Sequence, residues 1–167
     1  MKLYILRHGI AVDHGTPGYE NDADRPLTPE GERKLQRIAR AMQALDLDID
    51  LILTSPYVRA RQTAEGVAEV LKLGKKLEFT DTLTPGGDSR ELVELISRHP
   101  KAPENVLLVG HEPYLSGLVS LLVAGKEGFC VAFKKGGLCK LTIDSLKHGR
   151  CAALAWLLTP KQMELMA

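Results

Sequence analysis

Along the chain, short unbroken apolar runs alternate with longer stretches in which apolar residues recur every three or four positions. Runs of the first kind occupy 3–6, 51–53 and 106–109. Their length and continuity predict strands buried on both faces. Between them Leu35, Ile38, Ala39, Met42 and Leu45 repeat at helical spacing, and so do Val58, Ala64, Val67, Ala68 and Leu71. Two further faces follow, Leu92, Leu95 and Ile96, then Leu115, Leu118, Val119 and Leu122. Each predicts a helix with one buried stripe. Thr28-Pro29 and Thr54-Ser55-Pro56 combine a capping side chain with a first-turn proline, and Asp88 and Glu91 have capping-box spacing. Gly74 and His99-Pro100 predict helix ends. Residues 77–80 alternate like a strand. Past Gly125 the pattern changes to three short strands, at 130–133, 138–143 and 151–157, joined by glycine-containing turns that suit antiparallel neighbours. Thr159-Pro160 opens a last short helix. The alternation predicts an α/β fold around a mixed, mostly parallel sheet. With no repeat or linker, residues 1–167 are expected to form one domain.

Charge narrows the possible partners. The chain carries 22 basic and 21 acidic side chains, a net +1. Such balance supplies no general field for nucleic acid or an anionic membrane, so any anion must meet a local cluster. The basic run Arg33, Lys34, Arg37 and Arg40 is expected to be a solvated face. The first apolar run ends at Leu6, too short for a secretory leader, and the apolar stretch at 118–124 is far below spanning length. A soluble cytoplasmic protein is expected. Cys130, Cys139 and Cys151 leave one unpaired and lack metal-ligand spacing, which predicts reduced core thiols.

The three strongest strands end in similar chemistry. The first runs into Arg7-His8-Gly9, the second through Ser55-Pro56 to Arg59, and the third into Gly110-His111. Parallel strands of one sheet put their carboxyl ends on one edge, where α/β folds bind ligands. Right-handed crossovers make convergence the economical topology. Two guanidiniums offer forked donors for phosphate oxygens, and nearby helix starts add positive potential. One imidazole, if neutral, is a nucleophile toward phosphorus; the other, if protonated, is a donor to the same oxygens. The loop at 10–24 follows the Arg-His pair and is placed to close over the site. Its Asp13, Glu20, Asp22 and Asp24 are expected to be solvated.

Taken in order, Leu6-Arg7-His8-Gly9, Ser55-Pro56 with Arg59-Ala60 and Gln62-Thr63-Ala64, and Gly110-His111 resemble the histidine phosphatase superfamily. Arg25-Pro26-Leu27-Thr28 and the loop Leu83-Thr84-Pro85-Gly86-Gly87-Asp88 resemble its short SixA-type phosphohistidine phosphatases. The resemblance implies a phosphoglycerate-mutase-like three-layer sandwich with helices on both faces of the sheet. It implies that His8 attacks phosphorus and carries the phosphoryl group, while Arg7, Arg59 and His111 hold its oxygens. Arg25 either lines the entrance or forms a structural salt bridge. No metal or other cofactor is implied. A site built from His8, His14 and Asp13 is disfavoured, because two flanking arginines repel a cation.

One departure bears on the substrate. Larger superfamily members carry a glutamate general acid after the middle strand, where this chain reads Asp81-Thr82-Leu83-Thr84. Asp81 and Glu112 are the candidate replacements, each with a structural or solvated role as the alternative. A protonated imidazole needs less help to leave phosphorus than an alkoxide does. The gap therefore favours a protein phosphohistidine, such as that of a phosphorelay domain, over a small phosphate ester. A chain this short leaves little room for a domain capping the site, which suits a protein side chain. A module that binds a phosphorylated ligand without turnover is the remaining alternative.

Overall fold

The computed structural model describes residues 1–167. Six strands form one sheet: β1 (Lys2–Arg7), β2 (Leu51–Thr54), β3 (Leu77–Phe79), β4 (Asn105–Gly110), β5 (Leu138–Ile143) and β6 (Ala152–Leu158). Their order is β3-β2-β4-β1-β5-β6. The β3, β2, β4 and β1 strands run parallel, while β5 and β6 join antiparallel at one side. Four helices connect them, α1 (Pro29–Ala44), α2 (Val58–Val70), α3 (Ser89–Ser97) and α4 (Tyr114–Ala124), and a fifth, α5 (Pro160–Glu164), follows β6.

Two apolar cores flank the sheet, which makes the expected three layers. One packs Leu35, Ile38 and Met42 of α1 and Ala64 and Val67 of α2 against Tyr4, Leu6, Ile52 and Val109. The other packs Leu92 and Ile96 of α3 and Leu115, Val119 and Leu122 of α4 against Leu3, Ile5, Leu53 and Leu108. Alternate residues of each central strand serve opposite cores, which is why these strands read as unbroken apolar runs. Thr28 caps α1 as its sequence predicts, its hydroxyl accepting from the Gly31 amide at 3.0 Å, with Pro29 in the first turn. Removing such a cap costs about 1 kcal/mol. Gly31 is required for packing as well: a Cβ there would lie 2.1 Å from the Ile10 carbonyl oxygen.

Four local expectations are corrected. Residues 130–133 are not a strand. Both edges of β1 are already taken, by β4 and β5, and the Phe133 carbonyl accepts from Arg7 instead. The α2 helix starts at Val58 rather than at Pro56, because the Ser55 hydroxyl bonds the Tyr57 amide in a turn ahead of the helix. Gly74 does not end α2. The chain turns at Lys72, in left-handed conformation at φ 57°, with Leu73 N–H reaching back to the Ala68 carbonyl and Lys72 N–H to Glu69. That is a Schellman stop made without glycine. Of the cysteines only Cys139 is a core residue; Cys130 is exposed and Cys151 half-buried. No helix is long and apolar enough to cross a membrane.

Candidate active site

The position of β4 between β1 and β2 aligns three strand ends. Arg7 is level with Gly110, and Thr54 with Val109. The next residue of each strand is therefore His8, Ser55 and His111, side by side at the carboxyl edge. The backbone continues the ladder past the strands: His8 N–H donates to the Gly110 carbonyl at 3.0 Å and Ser55 N–H to Val109 at 3.1 Å. Gly9 lets the chain turn away under Leu27, its N–H held by the Thr63 hydroxyl of α2 at 3.0 Å.

His8, Arg59 and His111 are 5 %, 3 % and 1 % exposed, so their polar atoms must find partners within the site. The two imidazole rings lie 5.1 Å apart. His8 Nδ1 lies 2.7 Å from the Gly9 carbonyl, an acceptor only, so Nδ1 bears the proton. Nε2 is left with the lone pair and receives the Nε–H of Arg59 at 3.3 Å. His111 Nε2 is 2.9 Å from the Ser55 hydroxyl, while its Nδ1 has no protein partner. Tyr57 packs its ring on His111 at 5.3 Å and under the Arg59 guanidinium at 5.3 Å. Arg7 donates through Nη1 to the Phe133 carbonyl at 2.7 Å, and its buried Nε is unpartnered.

Electrostatics keep both imidazoles neutral. Burial pushes His8 down to about 3; the Gly9 carbonyl opposes this, and His111, Arg59 and Arg7 add to it. His111 is also lowered to about 3, first by burial, then by Arg59 against the opposing pull of Asp22, with smaller contributions from Arg25 and Arg7. The guanidiniums are eased downward by burial, against Asp22 for Arg59 and Glu112 for Arg7, yet stay charged at any physiological pH. An orphaned guanidinium N–H of Arg7, an unpartnered ring nitrogen of His111, three arginines and two uncharged imidazoles around one edge form an arrangement that an oxyanion would complete.

The remaining candidates divide. Arg25 is structural in this arrangement: its Nε and Nη2 grip one oxygen of Asp22 at 2.8 and 2.7 Å, and Nη1 donates to the Val12 carbonyl. Asp22 is not the solvated charge expected from sequence. It bridges Arg25 and Arg59, the latter at 3.0 Å. Its surroundings pull it below the usual carboxylate range: burial raises it, but hydrogen bonds from Arg25 and Arg59 outweigh burial. Asp81 is exposed in a 3-10 turn and has no side-chain bond. Glu112 accepts from the Ser116 amide of α4 at 2.8 Å. His14 is a surface residue 3.9 Å from Asp22, and no group of three His, Cys, Asp or Glu side chains is arranged to hold a metal. Sequence reading also missed Tyr57 and the coupling of Ser55 to His111. For Asp22 a signal existed in its i,i+3 spacing to Arg25. For Tyr57 there was none.

A surface groove of about 930 Å³ runs along α4 past Gly117 and Phe129, and none of the four clustered residues lines it.

Residues 3–84 match the histidine phosphatase superfamily (branch 1). An uncharacterized protein of Picosynechococcus is 39 % identical over 83 % of this chain and 82 % of its own. The chain belongs to the histidine phosphatase superfamily. Another member, the phosphohistidine phosphatase SixA of Escherichia coli, is 29 % identical over 99 % of this chain and 98 % of its own. A solved structure of the protein histidine phosphatase SixA complexed with tungstate superposes with a TM-score of 0.82, at 28 % identity, over 96 % of this chain and 98 % of that one. The superfamily fold thus extends well past the matched segment, through β4 and His111 to β6.

Proposed function

We propose that this chain is a phosphohistidine phosphatase that works through a phosphoryl group carried on His8. The observation that carries the reading is the tautomer of His8: the Gly9 carbonyl holds the proton on Nδ1, and Nε2 offers its lone pair at the mouth beside Arg59 and His111. The likeness to SixA over nearly the whole of both chains supports the substrate class.

In the reaction, Nε2 of His8 bonds to phosphorus while the bond from phosphorus to the substrate imidazole breaks. A substrate ring protonated on its other nitrogen departs as neutral imidazole. Arg7 and Arg59 offset the charge on the phosphoryl oxygens. A bound dianion favours the protonated form of His111, which then donates to the same oxygens. Water next bonds to phosphorus, the electron pair returns to Nε2, and inorganic phosphate and a proton are released.

The carboxylates fit a good leaving group. Asp81 faces solvent, and Glu112 accepts from the Ser116 amide of α4 and offsets the charge of Arg7, so the roles visible for both carboxylates are structural or electrostatic. That favours the partner expected from sequence, a protein carrying phosphohistidine, over an alkyl ester. Rapid mixing with a phosphohistidine peptide and acid-free quenching tests the reading. An acid-labile, alkali-stable phosphoryl label on His8, absent from His8→Ala, is the expected result. Faster turnover of an alkyl phosphate would shift the substrate to a small ester. Binding without any label would leave a phospho-ligand module.

A further inference from the structure

Arg59 reaches the site from the first turn of α2, and each of its three nitrogens is committed. Nε faces His8 Nε2 at 3.3 Å, Nη1 donates to the Asp22 carbonyl at 2.7 Å, and Nη2 to Asp22 Oδ2 at 3.0 Å. On a guanidinium, Nε–H and one N–H of Nη2 point along the same edge, as Arg25 demonstrates by using both on a single Asp22 oxygen. In Arg59 both terminal nitrogens bond Asp22, so Asp22 holds the end of the guanidinium and fixes the direction in which Nε–H meets the nucleophile. Behind Asp22 stands a rigid chain of contacts. Arg25 grips Oδ1 and is anchored on the Val12 carbonyl at 2.6 Å. Asn21 closes the short turn at Asp22–Asp24 by accepting from the Ala23 amide. Two residues past Arg25, Leu27 N–H donates to Gln62 of α2 at 2.7 Å, which ties the loop back to the helix that carries Arg59.

We infer that Asp22 is a positioning residue for phosphoryl transfer: clamped by Arg25, its carboxylate sets the plane of the Arg59 guanidinium against His8. The assignment rests on the reading of His8 as nucleophile. Arg59 Nε–H points at the Nε2 lone pair; an entering phosphoryl oxygen takes over that hydrogen bond and frees Nε2 to attack, and a guanidinium free to rotate about its stem would meet the oxygen without staying aligned with Nε2. The Asp22 charge also opposes an incoming dianion. Its presence at the mouth therefore serves alignment and weakens ground-state binding, a division that raises turnover rather than affinity.

The test is a split between kcat and binding. Asp22→Ala keeps the backbone carbonyl on Nη1 and removes only the carboxylate. It is expected to lower kcat on a phosphohistidine peptide by about 10- to 100-fold, the usual cost of a small misplacement. Affinity for inorganic phosphate, measured by calorimetry, should hold or improve. Asp22→Asn, which keeps an acceptor for Nη2, should recover most of kcat. Arg25→Ala should reproduce the loss, and the double variant should be no slower than either single one. Phosphate affinity falling in step with kcat would mark a scaffold role and overturn the assignment, as would an unchanged kcat or an Asp22→Asn as slow as Asp22→Ala. These outcomes leave the phosphoryl label on wild-type His8 intact. Its absence from the wild type would remove the nucleophile reading itself, and the Asp22 assignment with it.

Discussion

The two ends of the same parallel strands make opposite use of polar groups. At the amino ends, the Asp50 carboxylate accepts from the Glu104 and Asn105 amides at 3.0 and 2.9 Å. The Asn105 side chain bonds Asp48 and Asp50, and Lys76 Nζ donates to the Ile49 carbonyl. Donors there are matched by acceptors. At the carboxyl ends, a buried N–H of Arg7 and a buried ring nitrogen of His111 have no protein partner, and three guanidiniums face one bridging carboxylate and two neutral imidazoles. Matched polar groups stabilise a fold; unmatched ones cost stability and are kept where a ligand will match them. The sheet is closed at one end and left chemically open at the other.

Acid tests this contrast most severely. Both imidazoles are held at about 3 in the folded chain and titrate near 6.5 when unfolded. Below pH 6.5 the unfolded state binds more protons, so stability falls as pH drops from 6.5 toward 3. The expected slope is about 1.4 kcal/mol per pH unit for each imidazole, and it flattens below pH 3. Asp22, lowered in the fold, adds a further loss as pH falls through the carboxylate range. Urea unfolding between pH 7.5 and 4.5 reads the slope, and His111→Asn should flatten it. Equal stability at both ends of that range would mean that the imidazoles charge freely and the site is not dry.

Arg59→Ala comes next. Loss of the guanidinium should slow phosphoryl transfer by about 10³-fold, and breaking its buried pair with Asp22 should lower stability as well. A variant that kept its rate would separate the strand-end cluster from the chemistry. The smallest effect belongs to the other end. Asp50→Ala strands the Glu104 and Asn105 amides and should cost about 1–2 kcal/mol in denaturant unfolding, with kcat per folded molecule unchanged. A loss of rate there would show that the two ends are coupled.

Much of this was legible before the fold was known, for reasons that differ by residue. The central strands bury both faces, so 3–6, 51–53 and 106–109 announce themselves as apolar runs. Arg7, His8 and His111 are read from position, one step past such a run. Tyr57 carries no such mark, because packing against His111 is a property of space alone. Residues 130–133 look like a strand because apolar content marks burial, and Phe133 is buried, though β1, the strand whose Arg7 it meets, already has both edges paired.

By itself the sequence determined which segments are strands and helices and which side chains follow each strand, since hydrophobic period and capping are local. Only the tertiary structure decided that β4 enters between β1 and β2, and that Asp22 folds back onto Arg59. Both depend on which surfaces remain to be covered once the local elements exist. A charge on a loop is solvated or functional according to what the rest of the chain brings within 3 Å of it.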